Sequence, residues 1–216
     1  MHLFSPVPAQ PMDALLASYA AGSLPAPLHA LVASHLEISP LNRGFVASLE
    51  AAKAASIEQG EARPLRDSDA ALAAIFAGPP SRNIHASVPD PVYPAPLLHY
   101  FRHPPQEIRW RFRLPGIKEY RVSEGGRGDV SLFWIRAGRK MPSHTHEGQE
   151  TTLVLRGGFT DSLGHYRRGA IAVADAEIDH HPVADADEDC ICFAVTDAPL
   201  TLTGPIARLF RKLTGH

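Results

Sequence analysis

Between residues 138 and 157 the chain places Gly138, His144, His146, Glu150 and Gly157 at intervals that have a geometric meaning on a strand, a turn and a returning strand. His144 and His146 are two residues apart, so on a strand both imidazoles leave the same face. Glu147 follows His146 directly and faces the other way. Glu150 lies beyond the turn at Gly148, where the returning strand can aim it back at the two imidazoles. Two neutral imidazoles and one carboxylate suit a borderline divalent ion such as Zn, Fe, Mn, Ni or Cu, and exclude an all-oxygen Ca or Mg site. A fourth donor would come from a later strand. His180 and His181 are the candidates, and because they are adjacent at most one can enter the same lumen.

Histidine outnumbers cysteine 12 to 2. Cys190 and Cys192 sit two apart in the run CICFAV, so they share a strand face and make no disulfide framework. In a run apolar on both sides they read as small buried hydrophobes. A redox sensor would need accessible thiolates of low pKa.

The elements that must position these groups differ between the two halves of the chain. Residues 1–77 are Ala/Leu-rich and punctuated like short helices. Asp13 caps a run carrying Leu15, Leu16 and Tyr19 that stops at Gly22, and a second helix begins near Pro25 with Leu28, Leu31, Val32 and His35 at helical spacing. A third is expected to start at Ser39-Pro40 and to carry Leu41, Phe45 and Leu49 toward Gly60, and a fourth runs from Asp67 or Ser68 to Gly78. Residues 78–96 are expected to form a stiff linker, six of its residues being proline, that serves as a hinge. From 97 to 216 the pattern alternates: IRWRFRL, DVSLFWIRA, ETTLVLRGG, AIAVA and CICFAVT are strand-like runs separated by Gly, Pro, Asp or Ser. That predicts an α+β chain of two domains, a short-helix module followed by an all-β jelly-roll barrel. The final GPIARLFRKL reads as a short amphipathic helix docked on the barrel.

Composition narrows the function classes. A length of 216 residues with 44% hydrophobic content supports real cores, while 21 basic against 23 acidic residues leave no excess with which to neutralise a phosphate backbone. Direct nucleic-acid binding is disfavoured. The start MHLFSPVPAQ lacks a basic n-region and no stretch reaches 18 apolar residues, so the expectation is a cytoplasmic protein without membrane contact.

The spacing G-x5-H-x-H-x3-E-x6-G resembles the first cupin motif, and MPSHTHEGQETTLVLRGGFTDSLGHYRRG with DHHPVADADEDCICFAVTDAPL is similar to the ChrR family of cupin anti-sigma factors. The resemblance covers nearly the whole second domain. It implies a cupin barrel whose metal, zinc first with Fe, Mn or Ni as alternatives, is held by His144, His146, Glu150 and His180. His180 is chosen because the family reads Asp-His-x-Pro where this chain has Asp179-His180-His181-Pro182. The usual second cupin motif, with a Pro-x-Gly turn shortly before its histidine, is not matched.

The first domain resembles the same family's zinc-binding anti-sigma domain, built on H-x3-C-x2-C, but here the pattern is His35-x3-Ser39-x2-Asn42, and a further family histidine falls on Gln10. Ser and Asn are poor zinc ligands, so zinc is expected to be absent from this domain, with His35 at the edge of the helical core and a capped helix replacing the ion as a staple.

Two functions follow. The resemblance implies a regulator: the helical module binds an extracytoplasmic-function sigma factor and the metal-bearing cupin senses an oxidant. The alternative is a metal-dependent cupin enzyme of dioxygenase type acting on a small molecule, its helical module serving only to make a homodimer. Four protein ligands on zinc would leave that enzyme no open position.

Overall fold

The computed structural model describes residues 11–61, 66–78, 90–123, 129–142, 144–146, 148–174, 181–197 and 200–202. Four helices come first: α1 (Pro11–Ala21), α2 (Ala26–Ile38), α3 (Arg43–Glu58) and α4 (Ser68–Ala77). α1 begins two residues before Asp13, which therefore lies in its first turn instead of capping it. The helix ends in a Schellman motif, with Ser23 N–H donating to the Ser18 carbonyl and Gly22 N–H to that of Tyr19. α4 is capped as its sequence predicts, the Asp67 carboxylate accepting from Ala70 N–H at 2.9 Å.

α3 departs from expectation. Its N-cap is Asn42, in the left-handed region at φ 69°, and the Ser39 hydroxyl accepts from Leu41 N–H inside the α2–α3 turn. Ser39 therefore ends α2, its N–H donating to the His35 carbonyl at 2.8 Å, and does not N-cap α3. The buried residue of α3 is Val46; Leu41 and Phe45 face outward and Leu49 is half-buried.

Residues 95–101, at the expected opening of the β domain, form a fifth helix, α5 (Ala95–Phe101). Pro94 and Pro96 flank its start, where a missing N–H costs nothing, and Glu37 of α2 accepts from Ala95 N–H at 3.1 Å. Ahead of it the Asp90 carboxylate accepts from Val92 and Tyr93 N–H, both at 2.8 Å, which folds the chain into a turn and buries Tyr93. Residues 79–89 of the expected linker and the expected C-terminal helix at 204–213 lie outside the described residues.

Eleven described strands follow, all paired antiparallel: β1 (Arg111–Leu114), β2 (Ile117–Ser123), β3 (Val130–Ile135), β4 (His144–His146), β5 (Glu150–Arg156), β6 (Gly158–Thr160), β7 (His165–Arg167), β8 (Ile171–Ala174), β9 (Val183–Ala184), β10 (Cys190–Thr196) and β11 (Leu200–Leu202). They form one six-stranded sheet in the order β1-β2-β3-β10-β5-β8, with a β7-β6-β9 sheet and a β11-β4 pair completing the sandwich.

Every residue of β10 is buried because both faces of the large sheet are covered. Cys190 and Cys192 pack inward with Ile117, Ile135, Val154 and Phe159. The intervening Ile191, Phe193 and Val195 pack outward with Leu31 and Val32 of α2 and Leu97, Leu98 and Phe101 of α5. Helices and sheet thus share one continuous core, to which each fully buried large side chain contributes about 1.5–3 kcal/mol. Gly157 makes the crossing from β5 to β6 at φ 62°, and a Cβ there would stand 2.6 Å from the Asp189 carbonyl oxygen. The motif glycine is required by both its backbone conformation and this approach.

Candidate functional site

Glu150 opens β5 between two neighbours, paired in register with Thr196 of β10 and Ala174 of β8. Alternation sends Glu150, Thr152 and Val154 into the sandwich, while Thr151, Leu153 and Leu155 face the helices. The Thr152 hydroxyl donates to Glu150 Oε1 at 2.8 Å and fixes the carboxylate. β4 carries the two predicted histidine ligands in the sequence His-Thr-His, with His144 in register with Leu202 and His146 with Leu200 of β11. The imidazoles of His144 and His146, and all of His180, lie outside the described residues. Among the described residues no three His, Cys, Asp or Glu side chains are placed to hold a metal ion.

The lumen into which Glu150 opens is lined by apolar side chains such as Phe133, Met141, Phe159 and Cys192 together with Thr152 and Asp161, and its cavity is about 40 Å³. The Cys192 thiol is held well above its ordinary pKa, first by its hydrogen bond with Cys190, then by burial and by the negative charges that Cys190 and Glu150 would present. Both cysteines are free and buried, as small hydrophobes would be. The Cys192 thiol therefore stays neutral beside the Glu150 carboxyl, and Asp161 brings a second carboxyl to the same lining.

Sequence reasoning missed a buried carboxylate. Glu119 on β2, 6% exposed, accepts from the Ser131 hydroxyl at 2.8 Å and from Arg113 and Arg121. Two arginines converging from β1 and β2 supply the charge that a buried carboxylate needs. Their placement two residues and six residues from Glu119, on strands joined by a tight turn at Pro115-Gly116, was the available signal.

In the helical module, His35 is 2% exposed. Its Nδ1 lies 2.6 Å from the Gly169 carbonyl oxygen in the β7–β8 turn, and its Nε2 lies 3.2 Å from Nδ2 of Asn42. His35 therefore occupies a joint between helices and barrel, not the edge of a separate helical core.

α4 buries none of its residues, although Leu72, Ile75 and Phe76 are apolar and 51%, 71% and 83% exposed. Leu41 and Ile57 of the preceding segment are equally open. Among the described residues no single helix is long and apolar enough to cross a membrane. A groove of about 820 Å³ runs outside the sandwich beside Arg156, His165 and Arg168, whose side chains are engaged by Glu188, by Asp185 and by the Leu155 and Pro91 carbonyls respectively.

Comparison with known proteins places this architecture in context. The family profile described as "ChrR Cupin-like domain" matches residues 101–199. The anti-sigma-E factor ChrR of Cereibacter sphaeroides is 37% identical over 201 residues, covering 91% of this chain and 93% of that protein. The crystal structure of Rhodobacter sphaeroides SigE in complex with the anti-sigma ChrR contains a similar chain, at TM-score 0.70 and 36% identity, covering 85% of this chain and 96% of that one.

Proposed function

Because this chain belongs to the ChrR family of anti-sigma factors, we propose that it is a regulator that binds an extracytoplasmic-function sigma factor in the cytoplasm through its helical module, with the barrel as its sensor. The observation that carries the reading is α4, a helix whose Leu72, Ile75 and Phe76 have no core of their own to enter. A contiguous apolar helix face left in water marks a protein interface, and the relative of 36% identity was solved with its sigma factor bound.

For the barrel, the donor set is His144, His146, Glu150 and His180. Two things favour a cation: Glu150 is an oriented carboxylate on a largely apolar wall to which Asp161 adds a second carboxyl, and its neighbour Cys192 stays a neutral thiol. A borderline divalent ion, zinc foremost, would neutralise that carboxylate and cross-link the segments that carry the histidines. Loss of a ligand by oxidation would remove this cross-link, the local change a stress sensor needs. A cavity of about 40 Å³ suits such a role better than catalysis, because small-molecule sites usually measure about 300 Å³ or more.

Co-expression with a sigma factor of this class tests the reading. A stoichiometric complex on gel filtration is expected. Bound iron with turnover of a small diketone and no sigma contact would instead establish the enzyme.

A further inference from the structure

The three positions where the family carries a zinc-binding H-x3-C-x2-C have taken on different chemistry in this chain. We propose that His35, Asn42 and Gly169 form a metal-independent latch that fastens the α2–α3 corner to the barrel.

Both ring nitrogens of the His35 imidazole have a partner. The Gly169 carbonyl can only accept, so at 2.6 Å it requires the proton on Nδ1. Nδ2 of Asn42 can only donate, so at 3.2 Å it takes the lone pair of Nε2. A neutral imidazole satisfies both contacts, and each ring nitrogen is engaged in a site closed to solvent. The lone pair that a metal ion would need already belongs to an amide. Ser39 offers no replacement, since its hydroxyl accepts from Leu41 N–H. The donor set therefore does not fit zinc, and the same geometry joins two layers of the fold.

The barrel side is shaped to receive the helix. Gly169 has φ 86°, and a Cβ there would come within 3.0 Å of Ile38 Cγ2 and 3.3 Å of Ser39 Cβ. Only glycine lets the turn lie this close to the end of α2. Gly169 N–H donates to the Val154 carbonyl at 2.8 Å, and Val154 N–H to the Ala170 carbonyl at 3.0 Å. The turn is thereby tied to β5, the strand that carries Glu150.

On the other side, Arg43 donates to the Leu36 and Glu37 carbonyls and locks α3 to the end of α2. Chain connectivity thus runs from the lumen strand, through one imidazole, to the corner from which α3 departs. The consequence for sigma binding rests on the function proposed above; the latch itself does not.

Hydrogen exchange on the free full-length chain tests it, with no sigma factor present. His35→Ala should speed exchange of amides in 35–42 and 165–171 by about tenfold or more, because a buried donor and acceptor lose their partner. Amides of β3 and β10 should keep their protection. Asn42→Ala, which keeps the Gly169 contact, should give a smaller rise in the same segments. Exchange of amides in 35–42 of the unsubstituted chain should be unchanged by EDTA. The latch is overturned if His35→Ala leaves both segments protected, or if EDTA loosens 35–42 as much as the substitution does. A chain that exchanges as expected yet captures no sigma factor would sink the functional reading and leave the latch standing.

Discussion

Cys192 and Phe193 are consecutive on β10 and enter different layers: the thiol lines the lumen beside Glu150, while the phenyl ring packs edge-on against Phe101 and Tyr100 of α5. The wall of the proposed sensor is therefore also the floor of the helical layer. A rearrangement that shifts β10 or β5 by a fraction of a side chain is felt on both sides, since close-packed interiors transmit strain.

Phe193→Ala should cost about 3–5 kcal/mol, the usual loss for an aromatic residue deleted from a packed core. Urea unfolding followed by circular dichroism measures it. A loss under about 1 kcal/mol would mean that helices and sheet do not share the core described above.

The thiols should be silent in the folded chain. At pH 8 neither Cys190 nor Cys192 should react with a thiol reagent that labels both in denaturant, because they are buried and Cys192 is pushed above its ordinary pKa. Fast labelling of the native chain would contradict this and favour an exposed redox pair.

Stability should fall in alkali. A thiol whose folded pKa is raised contributes fully below the unfolded value of about 8.5, and the contribution is lost as pH climbs from there toward the folded value. Tyr93, pushed up to about 12 by burial and by Asp90, adds to the same slope above about pH 10. Thermal melts from pH 7 to 11 should show a midpoint that drops above about pH 8.5, less steeply in Cys192→Ala. A flat profile would contradict the assignment.

Metal analysis of the full chain should find about one divalent ion, the content of a single four-ligand site. It should be lost in Glu150→Ala and in His146→Ala. Retention of the ion by both variants would remove the barrel from the proposal.

Local rules made much of this fold legible. Asp67 announces α4, and the runs at 130–135, 150–156 and 190–196 become the three central strands of the large sheet. α5 escaped because its prolines resemble a linker, yet proline suits a helix's first turn. β2 escaped because Glu119 puts charge on a face that alternation alone would require to be apolar. Strands of two or three residues, such as β9, are too short for any periodicity. The apolar spacing of Leu41, Phe45 and Leu49 was visible, but Leu41 falls in the turn before α3, and a stripe does not say whether its own chain or a partner fills it. For the site, the sequence proposed a donor set. Hydrogen-bond partners such as Gly169 for His35, 134 residues away, follow only from tertiary packing.

The central claim is that the exposed apolar face of α4 is where the sigma factor docks. Calorimetric titration of an extracytoplasmic-function sigma factor into the full-length chain and into Ile75→Asp/Phe76→Asp measures it directly. The wild-type chain should bind one to one, and the variant should bind about 100-fold more weakly or not at all, as expected when two buried anchors are lost, with an unchanged melting temperature because neither side chain enters a core. Equal affinity for both chains, or no binding by the wild type, would contradict the account.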